Sequence, residues 1–246
     1  MCTGRMDLSF IFRAFLHEAD GVFIGGCWPG ECHYSTEGNY HAWNLVHLCR
    51  KLLEHIGVNP KRVRIEWISA SEGMRFAEIM NDFVAQVRLL GPIGEGEGMN
   101  EAECRSRLEG VARLIPYIKM VKEEKLALRL EKEEDYSALY ERDEIDRLFR
   151  EVVSYHIDPE ACRACMICLA KCPVGAITGG KRRIHVIDQE KCIKCGTCLH
   201  VCPPQFAAVK KTSGVPVPPP IPEGERALAG NRIETETARS AGMGFE

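Results

Sequence analysis

The sequence predicts an α/β unit of the flavodoxin-like or Rossmann-like kind that lacks its first strand. A helical spacer and a small α+β unit built around cysteines follow it. Three observations carry this reading. Helix and strand periods alternate as far as Pro92, a charged helix-rich stretch runs on from Asn100, and eight of the thirteen cysteines lie between Cys162 and Cys202. Composition places the boundaries at 1–92, 93–155, 156–212 and a proline-rich, disordered tail at 213–246.

In chain order, "DLSFIFRAFLHEA" has a helical pattern with Asp7 as N-cap. "GVFIGG" reads as a buried strand. From Glu37 to Ile56, apolar residues recur three and four apart at Leu45, Leu48, Cys49, Leu52, Leu53 and Ile56, and Gly57 with Pro60 ends that helix. "RVRIEWI" alternates as a strand. Ser69 with Glu72 forms a capping-box signature for a helix that buries Phe76, Ile79, Met80, Phe83, Val84 and Val87 and stops at Gly91-Pro92. Two strands for three helices make a poor sheet, and the absent strand belongs just before "MCTGRMD".

"GPIGEGEGMN" reads as a glycine-rich hinge, Asn100 with Glu103 as a second capping box, and Pro116 as a kink or break. The charged stretch after it reads as a solvated helical spacer or a partner-binding arm. The formal charge of −3 gives no reason to expect nucleic acid or anionic membrane as the main partner. No apolar run approaches the roughly 18 residues of a membrane span. Charge interrupts the first apolar stretch and no small-residue cleavage site follows, so the expected location is the cytoplasm. In a reducing compartment, clustered cysteines point to metal rather than disulfides.

"CRACMICLAKCP" and "CIKCGTCLHVCP" both match C-x2-C-x2-C-x3-C-P, the run of bacterial two-cluster ferredoxins. Three thiolates on a tight loop cap three irons of a cubane, and the fourth iron must be met from another direction. The expected [4Fe-4S] ligand sets are therefore Cys162, Cys165, Cys168 with Cys202, and Cys192, Cys195, Cys198 with Cys172. Pro173 and Pro203 turn the chain away, and Gly175 and Gly196 allow close backbone approach. The hairpin "GAITGGKRRIHVID" offers Ile177, Ile184, Val186 and Ile187 as shielding. Structural zinc would use separated pairs of ligands, which this doubled run is not. "CPVGAITG", "HVIDQEKCIKCGTC" and "FAAVKK" resemble the ferredoxin extension of NADH-dehydrogenase-like flavoprotein subunits.

The first part carries a second resemblance. "MCTGRMDLSFIFRAFLHEADGVFIGGCWPGECHYSTEGNY", with "RIEWISASEGMRFAEIMNDF", is similar to the delta, iron–sulfur subunit of methyl-viologen-reducing hydrogenase. The resemblance implies a [2Fe-2S] cluster, with Cys2, Cys27 and Cys32 as ligands, and docking on a heterodisulfide-reductase-like flavoprotein. A [2Fe-2S] cluster takes four protein ligands and only three are in view. The family's earlier strand and cysteine-rich turn, lying upstream of Met1, is the expected source of the fourth, and a selenocysteine codon read as a stop would explain the shortening. Cys49 reads as core and Cys104 as incidental; His33 reads as a hydrogen-bonded loop histidine, with a ligand or donor role as the alternative, and Arg5 as a residue that tunes cluster charge.

The implied function is electron relay between that flavoprotein and a hydrogenase, formate dehydrogenase or similar donor, including in an electron-bifurcating complex. No catalytic site is expected: there is no nucleophile–base pair, and "IGGCWPG" lacks G-x-G-x-x-G. The alternatives are a flavin-binding oxidoreductase in its own right, or a docking adaptor in which only the two ferredoxin clusters work.

Overall fold

The computed structural model describes residues 2–228 and divides the chain into two compact units, one ending at Arg150 and one beginning at Glu151. The element order of the first unit up to Leu90 follows the pattern: α1 (Leu8–Leu16), β1 (Val22–Gly26), α2 (Gly38–His55), β2 (Val63–Trp67) and α3 (Gly73–Leu90). β1 and β2 pair in parallel, Val22 opposite Val63 through Gly26 opposite Trp67. The Asp7 carboxylate caps α1 by accepting the Ser9 N–H at 2.9 Å. Leu8, Ile11, Phe12 and Phe15 of α1 and Val46, Leu48, Leu52 and Leu53 of α2 are buried, each side chain contributing about 1.5–3 kcal/mol.

α3 departs from expectation. Glu72 accepts the Ser69 N–H at 2.7 Å, yet the helix starts a turn later, at Gly73. Of its six expected core positions only Phe83 is buried, while Phe76 and Val84 are exposed. A pair of strands is too narrow to cover an 18-residue helix, and α3 meets β1 where Phe76 and Phe83 pack on Phe23.

Residues 93–155 are not laid out as a solvated linker. α4 (Glu101–Val121) runs unbroken through Pro116 and buries Leu108, Val111, Ile115 and Ile118. Burial on both sides of Pro116 holds the helix together despite the missing N–H. Asn100 caps it by accepting the Glu103 N–H at 2.8 Å. Then come α5 (Glu123–Leu126), α6 (Glu133–Leu139) and α7 (Arg142–Arg150). Tyr136 and Tyr140 are buried against α2: Tyr136 stacks on His47 and lies tilted against Trp43, and the Tyr140 hydroxyl donates to the Asn44 side-chain oxygen. Lys122 and Lys125 share Glu144. The charge in this stretch is therefore largely a rim around a buried stripe.

The second unit begins with a strand that the helical pattern concealed, β3 (Val153–Ile157), antiparallel to β6 (Val209–Ser213). Between them lie α8 (Ile167–Lys171), the expected hairpin of β4 (Ile177–Gly180) and β5 (Arg183–Ile187), and α9 (Thr197–Val201). Ile177, Ile184 and Ile187 are buried; Val186 is half-buried.

The tail reading needs correction as far as Leu228. The Ile184 N–H donates to the Arg226 carbonyl at 2.7 Å and the Leu228 N–H to the Arg182 carbonyl at 3.1 Å. Ile221 and Leu228 thereby pack against Cys162, Ile184 and Ala208. Backbone pairing to the free edge of β5 holds this segment, and residues 229–246 lie outside the described residues. Among the described residues no helix is long and apolar enough to cross a membrane.

Candidate metal centres

In the second unit the two cysteine loops have the same backbone. Ala164 and Lys194 sit at φ 50° and 59°, Met166 and Gly196 at 67° and 77°. Alternating left-handed residues turn successive N–H groups toward one side, an arrangement that cradles anions. Three of the four are not glycine, which costs local strain and marks these loops as shaped for a ligand. Each loop ends in a short helix carrying the third cysteine, Cys168 or Cys198, both buried. Pro173 and Pro203 follow the fourth.

The fourth cysteines cross over. A small cavity of about 20 Å³ is lined by Cys172 together with Cys192, Cys195 and Cys198, and by Tyr155, Ile177 and Ile187. The Ala176 N–H donates to Cys172 Sγ at 3.3 Å. On the other side, burial pushes the Cys168 thiol up to about 11, and the groups that add to it are Cys165, Cys162 and Cys202. Burial likewise pushes Cys198 up to about 12, with Cys192, Cys195 and Cys168 adding to it. Thiols crowded and buried this way resist ionising alone, and a polynuclear iron centre is the kind of positive charge that would draw off their protons. A cubane spreads its thiolates over four irons, and the doubled C-x2-C-x2-C-x3-C run fits it better than the separated ligand pairs of zinc.

Side chains that spacing did not single out complete these sites. His185 is buried, with Nδ1 at 3.4 Å from Cys168 Sγ, and burial holds its imidazole below the usual histidine range. Thr197 Oγ1 lies 3.2 Å from Cys195 Sγ. Aligning the two runs is the signal that would have found His185, because it precedes Cys192 by the interval at which Tyr155 precedes Cys162.

In the first unit, Cys27 follows β1 directly, at the carboxyl end of the strands, where open α/β sheets place their ligands. Its carbonyl accepts the Asn39 side-chain N–H at 2.6 Å. The loop beyond it is pinned by Trp28, whose Nε1–H donates to Glu72 at 2.7 Å beneath the Arg75 guanidinium. Cys2 and Cys32 come together with Sγ atoms 3.5 Å apart. Two thiolates on one tetrahedral metal at about 2.3 Å would stand about 3.8 Å apart. The Gly4 N–H donates to Cys2 Sγ at 3.4 Å. Gly38 is required here: a Cβ would meet Cys2 Sγ at 2.6 Å and Cys32 Sγ at 2.7 Å. Gly38→Ala is therefore expected to push the two thiols apart; iron analysis of the anaerobic protein should show loss from the first unit with the ferredoxin-type iron retained. Cys49 and Cys104 are buried and stand apart from these sites, Cys49 in α2 and Cys104 under the Gly94 backbone. His33 is exposed in its loop beside Tyr34.

The family model of the methyl-viologen-reducing hydrogenase delta subunit matches residues 1–91, and that of the 4Fe-4S dicluster domain matches residues 149–207. The iron-sulfur subunit of the F420-non-reducing hydrogenase of Archaeoglobus profundus is 53% identical over 91 residues, 37% of this chain and 66% of that protein. The vhu iron-sulfur subunit of the F420-non-reducing hydrogenase of Methanopyrus kandleri is 35% identical over 92 residues, 37% of this chain and 69% of its own. One subunit of the ferredoxin/F420H2-dependent CoB-CoM heterodisulfide reductase of Methanosarcina acetivorans is 42% identical over 94 residues, 38% of this chain and 12% of that protein. The chain thus spans about two thirds of the hydrogenase subunits it matches and about an eighth of the reductase protein.

Proposed function

The chain belongs to the methyl-viologen-reducing hydrogenase delta-subunit family, and on that premise we propose that it relays electrons between a redox enzyme and a heterodisulfide-reductase-like flavoprotein. The donor would be a hydrogenase, a formate dehydrogenase or a similar enzyme. The 4Fe-4S dicluster domain makes it an iron–sulfur protein. The observation that carries the relay reading is the convergence of Cys172 with Cys192, Cys195 and Cys198 in one cavity.

In this reading Cys162, Cys165, Cys168 and Cys202 hold one [4Fe-4S] cluster, and Cys192, Cys195, Cys198 and Cys172 the other. When bound, each supplies one-electron transfer. The protein's part is to exclude water with Ile177, Ile184, Ile187 and the Ile221–Leu228 segment, and to aim N–H groups at the sulfurs. Cys168 and Cys198 are neighbours in one apolar cluster, so the two ligand sets share a dry wall. In the first unit, Cys2 and Cys32, with Cys27 on the adjoining loop, would hold part of a [2Fe-2S] cluster, whose remaining ligand lies outside these three. The match of residues 1–91 to both hydrogenase and reductase relatives supports reading that unit as the docking module.

Iron analysis and EPR of the anaerobic protein test the reading. About ten irons per chain, with both cubane and two-iron signals after dithionite, is the expected result. About eight irons would reduce the first unit to a docking adaptor, and colourless, EPR-silent material would end the proposal. Rapid mixing of the reduced chain with a heterodisulfide-reductase-like flavoprotein should bleach the flavin within turnover time; an unreactive pair would assign a different acceptor.

A further inference from the structure

The two cysteine runs are near copies, but the side chains laid against them differ. Tyr155 stands seven residues before Cys162 and His185 seven before Cys192, so they hold equivalent places in the repeat. Each meets the opposite run. The Tyr155 hydroxyl lies over Gly196, where an added Cβ would meet it at 2.8 Å. His185 lies over the first run, its Nδ1 at 3.4 Å from Cys168 Sγ and its Nε2 at 3.4 Å from Met166 Sδ. It is 1% exposed and Cys168 6%. Gly179 makes room for it: a Cβ there would stand 2.2 Å from His185 Cδ2.

We propose that His185 is a positioning residue that donates its Nδ1–H to Cys168 Sγ and so sets the reduction potential of the first cluster separately from the second. The inference rests on the reading of Cys168 as a cluster ligand. A neutral imidazole has one N–H to give, and a metal-bound thiolate accepts it better than the Met166 thioether, which fixes the tautomer. Reduction adds negative charge to the cluster and its sulfurs. A donor to sulfur therefore stabilises the reduced form, more so where both partners are buried.

The second cluster takes its side-chain donor from elsewhere in the repeat, the Thr197 hydroxyl to Cys195 Sγ at 3.2 Å. The first run has Ile167 at that position. Identical ligands are thus offset by unlike donors, one for each cubane. That gives the duplicated fold a means of ordering its two centres in potential.

The test is an EPR-monitored redox titration of the anaerobic full chain. His185→Phe is expected to move one cubane step to more negative potential and leave the other in place. Thr197→Val is expected to move the other step. His185→Asn, whose amide can present an N–H where Nδ1 stood, should recover most of the first shift. A deuterium-exchangeable proton coupled to the first cluster should appear in ENDOR of the native chain and vanish in His185→Phe. Full iron content with both steps unmoved in His185→Phe, or both moved equally, overturns the inference. So does loss of the first cluster from His185→Phe and His185→Asn alike, which would make the ring a packing element. Native material without cubane signals would overturn the cluster reading, and this inference with it.

Discussion

Cys172→Ala is expected to strip the cubane bound by Cys192, Cys195 and Cys198, or to leave it a three-iron remnant, while the cluster of its own run survives. The ferredoxin-type unit should fall from about eight irons toward about four. The reason is the cavity, which contains Cys172 with the three cysteines of the other run. Cys202→Ala should do the reverse, since Cys202 stands among the groups acting on Cys168. Double variants make the test sharp. Adding Cys192→Ala to Cys172→Ala should cost little further iron beyond any remnant, because both act on one site, whereas adding Cys162→Ala should remove nearly all of it. If the runs were self-contained, the two doubles would exchange outcomes. The measurement is iron and acid-labile sulfide per chain, with EPR identifying the surviving centre.

The parallel strand pair, the three helices around it and the hairpin between the cysteine runs were legible because each is written in local periodicity. The crossed ligand sets were an expectation from chemistry, since a cubane needs a ligand from outside its loop, and the structure places Cys172 beside Cys192, Cys195 and Cys198. What escaped was whatever depends on partners far along the chain. The stretch from Glu101 to Arg150 reads as solvated because charged residues outnumber its apolar ones, yet a single stripe and two tyrosines suffice to dock it. The proline-rich segment is held by main-chain pairing to β5, which composition does not encode. The exposed face of α3 shows the opposite failure, since its apolar spacing is sound but the sheet beneath it is two strands wide. Cysteine spacing carries no signal for His185, which only its place in the repeat and its burial single out.

Replacing Arg62 should destabilise the first unit more than any other single surface-looking change. The sequence presents it as the first residue of an alternating strand, but its side chain has no exposed surface. Its Nε donates to Glu97 at 2.7 Å and Nη2 to the same carboxylate at 3.1 Å. Nη1 donates to the Asp20 and Gly91 carbonyls at 3.0 and 2.9 Å, and Nη2 to those of Leu90 and Pro92, each at 3.3 Å. The glycine-rich stretch taken for a hinge is folded around this guanidinium. A Cβ at Gly96 would lie 1.8 Å from the Leu90 carbonyl oxygen, so only glycine closes the turn. Arg62 thereby ties the entry to β1, the start of β2 and the end of α3 to one point.

Arg62→Ala leaves the buried Glu97 carboxylate without its counter-charge, held by the Asn59 and Gly94 N–H groups alone, and takes a donor from four carbonyls, a loss of about 3–5 kcal/mol for a broken buried ion pair. Converting both partners, Arg62→Met with Glu97→Met, should cost less than either single change, since no charge is then stranded. All three tryptophans lie before Arg150, so urea melts followed by tryptophan fluorescence read this unit alone. The pair also sets an acid limit. Burial alone would raise the Glu97 carboxyl, but Arg62 and the Asn59 and Gly94 N–H groups outweigh it and hold it below the usual range. A carboxyl depressed in the folded state adds stability above its unfolded value, about 4.3, and loses it as pH falls through the folded one. The native unit should therefore weaken more steeply below about pH 4 than the doubly substituted one, and parallel pH profiles would refute the linkage.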